Sequence, residues 1–125
     1  MAKNRETRTV QNPALLAVGS RPDVLVWRQQ SGVFRQFEAP HDPVRVGMPG
    51  IADSMAVVAV TITPEMVGKT IGVAVAPEFK TAKGKQTERQ KAWQAAFESR
   101  GGVYRIIKSA ADMLALVSDV QRGSW

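Results

Sequence analysis

Apolar positions change their spacing several times along this chain, and each change marks an element. Residues 1–10 are polar with no apolar period and are expected to form a disordered, frayed N-terminal segment before a single domain over residues 11–125. Asn12-Pro13 reads as an N-cap followed by proline at the first helical position. A short helix through Leu15, Leu16 and Val18 should stop near Gly19. Val24, Val26 and Arg28 then alternate with Leu25 and Trp27, which predicts a strand partly covered on both faces. Gln30-Ser31-Gly32 is a turn signal, so residues 33–37 are expected to pair back on that strand as a hairpin. Residues 40–43 form a loop, and residues 44–46 read as a further short strand.

The second half carries stronger periods. Residues 55–63 (MAVVAVTIT) predict a strand, and residues 70–80 predict the next one. On the latter, Ala74, Ala76, Glu78 and Lys80 share one side. Val73, Val75 and Phe79 lie on the other, taken as the core side. Pro77 cannot donate to a ladder, so it predicts a bulge or kink at the strand end. Thr87-Glu88-Arg89-Gln90 fits a capping box and opens a helix to about Arg100, with Trp93, Ala96 and Phe97 as its apolar stripe and Gly101-Gly102 as its stop. Residues 103–107 form a short strand. Ser109 and Asp112 make a second capping pattern, opening a final helix that carries Met113, Leu114, Leu116, Val117 and Val120. This order predicts an α/β sandwich on a mixed sheet.

Composition narrows the picture. The apolar content of 44% is globular, and the absence of cysteine excludes disulfides and thiolate metal sites. The longest apolar stretch, residues 51–62, is broken by Asp53, Ser54 and Thr61, so no membrane span fits. The polar N-terminus lacks the apolar stretch of a secretory signal. The formal charge is +6 with a pI near 10.2, which favours a polyanionic partner through counterion release. Lys80, Lys83, Lys85, Arg89 and Lys91 lie within one short window whose only acid is Glu88. Such a run is commonly a solvated charged turn. Its adjacency to Glu78-x-Lys80 favours a phosphate-contacting edge instead.

Glu78-Phe79-Lys80 places a carboxylate and an ammonium on one strand face, beside small alanines that leave room for a substrate or metal. A second carboxylate, Asp53, follows Gly50 in a turn ahead of the 55–63 strand. Alone, Asp53 reads as a turn aspartate and Glu78/Lys80 as a solvent-face pair. Together, two carboxylates and a lysine could hold a hard divalent cation and hydrolyse a phosphodiester. Gln90 lies on the buried side of its helix and needs a partner there. The N-cap backbone and the carboxylate site are the two candidates. The single histidine, His41, sits in the 40–43 loop and reads as a surface residue.

The order of these motifs resembles the virus-type replication-repair nuclease (VRR-NUC) domain, a branch of the PD-(D/E)XK superfamily. The resembling residues are Gly50-Ile51-Ala52-Asp53, Glu78-Phe79-Lys80, the following Thr81-Ala82-Lys83-Gly84-Lys85, Thr87-Glu88-Arg89-Gln90, and Gly101-Gly102 before a strand. Val26-Trp27-Arg28 through Gly32 is similar to the family's Arg-containing strand and glycine turn. The resemblance implies a PD-(D/E)XK nuclease-like sandwich with a central mixed sheet flanked by helices. It also implies a metal-dependent endonuclease that cuts branched DNA such as four-way junctions, as a homodimer, in the cytoplasm of a bacterial or phage-infected host cell. Under it, Asp53 and Glu78 would ligate Mg²⁺ or Mn²⁺, with the Phe79 carbonyl completing the shell. Lys80 would orient the attacking water and stabilise charge on the phosphate, and Gln90 would support the site. Lys83, Lys85, Arg89, Lys91 and Arg28 would contact DNA.

Two positions depart from that pattern. Where the family carries an acid on the first helix, this chain has Gln11, which can ligate through its amide oxygen but brings no charge. Pro77 stands where an apolar strand residue is commoner. The missing acid keeps open a second reading, a branched-DNA-binding protein without catalysis.

Overall fold

The computed structural model describes residues 5–29 and 32–125. Within these, the chain is a small mixed α/β protein. Three α-helices, α1 (Asn12–Val18), α2 (Glu88–Glu98) and α3 (Ala110–Arg122), accompany six short strands. The strands are β1 (Val24–Arg28), β2 (Gly32–Arg35), β3 (Pro43–Val46), β4 (Ser54–Val58), β5 (Val75–Phe79) and β6 (Val103–Ile107). They form three two-stranded ladders, β1–β4, β2–β3 and β5–β6, in place of the single central mixed sheet expected. The reason lies in strand length. The 55–63 and 70–80 runs yield only five-residue strands, and residues 59–63 and 71–74 join no ladder. No described helix is long and apolar enough to cross a membrane.

The chain divides into two compact units, Met1–Arg21 with Val26–Ala56 and Pro22–Leu25 with Val57–Trp125. In the first, residues 7–10 are helical rather than frayed. They belong to a π-helical turn, Thr7–Gln11, that runs straight into α1. Residues 1–4 of the expected disordered segment lie outside the described residues. Because Gln11 is already helical, Asn12 does not act as the N-cap. Its Oδ1 instead accepts a hydrogen bond from the Arg28 guanidinium.

The hairpin also differs from expectation. β2 pairs antiparallel with β3, with Val33 opposite Arg45, and not with β1. β1 takes β4 as its partner, and the Gln29 N–H donates to the Asp53 carbonyl (2.8 Å). The expected turn at Gln30-Ser31 lies outside the described residues. The loop between β2 and β3 is tied by Gln36 N–H to the Asp42 carbonyl (3.2 Å) and by the His41 ring to the Gln36 carbonyl (2.9 Å). His41 adopts a positive φ of 59°, in the left-handed region that residues other than glycine seldom occupy.

The second unit is built as strand, helix, strand, helix. β5 and β6 run parallel, with Val75 opposite Val103 and Phe79 opposite Ile107. A parallel pair needs a long crossover, and α2 supplies it. The capping box is present as the sequence predicts. Thr87 accepts from the Gln90 N–H (3.1 Å), and the Gln90 side chain accepts from the Thr87 N–H (2.9 Å). α3 begins with Ser109 accepting from the Asp112 N–H (3.1 Å) and ends at Gly123 in the left-handed region. Val103, Ile107 and Leu116 form the core cluster, with Val73, Met113 and Val120 packed on it. On the other side of β6, Tyr104 and Phe97 pack with Trp93, whose ring stacks on Phe97 at 4.7 Å. A side chain on Gly102 would overlap the Phe97 ring, so the second glycine of the pair is needed for this packing.

The core side of β5 is only partly as expected. Val73 packs on the core, but Val75 is exposed and Phe79 is 69% exposed. α3 lies over β6 rather than β5, so these two apolar side chains stay uncovered although they share the face of Val103 and Ile107. Ala76, Glu78 and Lys80 are the more sheltered set.

Candidate active site

Glu78 lies at the C-terminal end of β5 and Lys80 directly follows the strand, two residues apart and therefore on one face. The Lys80 ammonium stands 3.5 Å from Glu78 Oε1. Gln90 reaches the same oxygen from the first turn of α2, donating through its Nε2. The two partners weighed for Gln90 are thus engaged at once. Its carbonyl oxygen caps the helix and its amide nitrogen holds the carboxylate. An amide has separate donor and acceptor ends, so no group is shared and none is left unpaired. The side chains are sheltered, Lys80 at 17% and Glu78 at 26% exposure.

One Glu78 oxygen is fixed in this way, while Oε2 accepts no hydrogen bond among the described residues. A carboxylate held by one oxygen and open at the other suits a hard divalent cation, and Mg²⁺ needs only one or two such groups from protein. Glu78 could supply one such group. Asp53, Gln11 and Arg28 belong to the first unit, whereas Glu78, Phe79, Lys80 and Gln90 belong to the second. Asp53 has an exposed side chain, and its backbone carbonyl closes the ladder to Gln29. Gln11 ends the π-helical turn and is half-buried. Among the described residues, no group of three or more His, Cys, Asp or Glu converges on one point. What the structure brings together is Glu78, Lys80 and Gln90.

The basic residues after Lys80 are displayed. Lys83, Lys85, Arg89 and Lys91 are exposed, and Lys91 pairs with Glu88 at 3.2 Å, one turn away on α2. Such a pair on the surface contributes little. Arg28 is exposed but engaged with Asn12. Lys108 is a basic residue that the sequence reading missed. It directly follows β6, and parallel register sets the end of that strand beside the end of β5. Its ammonium donates to the Ala82 carbonyl (3.2 Å), inside the loop after Lys80. The available signal was the position one residue beyond a strand parallel to the one bearing Glu78.

Elsewhere in this unit, Asp119 on α3 bridges Arg105 of β6 (2.7 Å) and Arg122 (2.7 Å). The Arg105 hydrogen bond is the main cause that holds its carboxyl below the usual carboxylate range. No family model, no curated protein and no solved structure matches the chain.

Proposed function

We propose that this protein is a divalent-metal-dependent, structure-specific endonuclease acting on branched DNA, built as a variant of the PD-(D/E)XK architecture. The observation that carries the reading is the assembly of Glu78, Lys80 and Gln90 at one strand end, with Glu78 Oε2 left open. Glu78 and the Phe79 carbonyl would hold Mg²⁺ or Mn²⁺. Such a cation, when bound, lowers the pKa of its water and neutralises charge on a phosphate oxygen. Lys80 would orient the attacking water and stabilise the phosphate charge. Gln90 keeps the Glu78 carboxylate turned toward the lysine. The exposed Lys83, Lys85, Arg89 and Lys91 would follow the DNA backbone. A homodimer would supply two sites related by a two-fold axis, as symmetric cutting of two strands requires.

The test is cleavage of a labelled four-way junction against linear duplex, with Mg²⁺, Mn²⁺ or EDTA. Wild type should cut the junction only with metal. Glu78→Ala and Lys80→Ala should each lose about 10²-fold or more in rate, the scale on which a single charge-stabilising group acts. Undiminished cutting by Glu78→Ala would remove the assignment.

The neutral Gln11 favours a second reading, a branched-DNA-binding protein without catalysis. It expects binding that weakens steeply with salt and no cutting in any metal.

A further inference from the structure

The loop after Lys80 folds back over that lysine. The Lys80 N–H donates to the Ile107 carbonyl (3.0 Å), which fixes the end of β5 to the end of β6. One residue further along, the Lys108 ammonium donates to the Ala82 carbonyl (3.2 Å). Inside the loop, the Gly84 N–H donates to the Thr81 carbonyl (3.0 Å), a turn that brings the Gly84 backbone against Lys80. A Cβ on Gly84 would stand 3.3 Å from Lys80 Cβ and 3.4 Å from its Cδ. The lysine stem thus has a backbone wall, while Lys83 and Lys85 in the same loop are exposed.

A lysine gives up much rotamer freedom when it is held in one place. Its 3.5 Å contact with Glu78 is longer than a charge-assisted hydrogen bond, so it does not by itself fix the stem. Something else must restrict the stem. The turn at Gly84 lies close enough to the stem that a Cβ there would crowd it, which limits the room the stem has, and the Lys108–Ala82 hydrogen bond ties that loop to the neighbouring strand. Resting on the nuclease reading for its consequence in catalysis, we infer that Gly84 and Lys108 are positioning residues for Lys80. Neither touches the phosphate. They act by keeping the Lys80 ammonium beside Glu78.

Full-length Gly84→Val, Lys108→Met and Lys108→Arg, compared with wild type, test this. In junction cleavage, the first two should lower kcat about 10-fold or more with KM within about 2-fold, because small misplacement of a reacting group is costly. Lys108→Arg, which keeps a charged donor, should regain kcat to within about 3-fold of wild type. NMR supplies a readout that needs no activity. The Lys80 Cε resonance should move in Gly84→Val and Lys108→Met and return in Lys108→Arg. An unmoved Lys80 resonance in both variants overturns the inference. So does a rise in KM alone on Lys108→Met, which would make Lys108 a direct phosphate contact. If wild type cuts nothing, the nuclease reading falls, and the Lys80 resonance alone decides whether Gly84 and Lys108 position it.

Discussion

Among the described residues, every buried apolar side chain belongs to the second unit: Val24, Val57, Phe97, Val103, Tyr104, Ile107 and Leu116. In the first unit none is buried, although it carries Leu16, Val33, Phe37 and Met48. The difference follows from how each is assembled. A parallel ladder buries its faces only if helices cover them, and α2 and α3 pack on opposite faces of β6. The first unit offers a two-stranded hairpin and a seven-residue helix, held by hydrogen bonds such as Arg28 to Asn12. A lone hairpin is marginal in water. A hydrogen-bonded framework can therefore place residues without supplying a core, and the candidate site sits in the unit that has one.

The comparison breaks most sharply at Leu116. Leu116→Ala removes a side chain with no exposure and should cost about 2–5 kcal/mol in urea unfolding, through lost transfer energy and a residual cavity. Leu16→Ala, at 80% exposure beside a groove of about 780 Å³ lined by Leu15, Val26 and Trp27, should change stability by no more than about 0.5 kcal/mol. Equal costs at the two leucines would mean that the first unit buries Leu16 in solution. A smaller effect is expected at the helix start. Thr87→Ala deletes the acceptor for the Gln90 N–H and should cost about 1 kcal/mol by the same measurement.

The smallest effect concerns pH. Asp119 has a folded-state pKa below its ordinary value, so its contribution to stability is present above about pH 3.9. That contribution is lost as pH falls through the lowered value. Asp119→Asn should therefore flatten the decline in stability below about pH 4 and leave the curve shape near neutrality unchanged. An identical acid limb in both proteins would show that Arg105 and Arg122 do not hold the carboxylate in solution.

What the sequence reveals follows interaction range. The capping box at Thr87 and Gln90, the Ser109 cap and the glycine stop after α2 are decided within four residues, and each is found where the pattern predicts. Strand partners are decided across the chain. The turn signal at Gln30 could not show that β1 would prefer β4, nor that β2 would prefer β3. Alternation on β5 correctly separated Glu78 and Lys80 from Val75 and Phe79, but alternation does not say which face is covered. That depends on α3 lying over β6. At the site, Glu78, Lys80 and Gln90 were legible because strand period and helix cap both point at them. Lys108 was not, since its contact with Ala82 spans 26 positions.

Gln90 is at once a splice in the helix and a hand on the carboxylate. Fraying of the first turn of α2 therefore also loosens one of the two holds on Glu78, the other being Lys80. Helix ends open at temperatures where the core is still intact. Warming should therefore loosen that hold on the carboxylate before the unit melts.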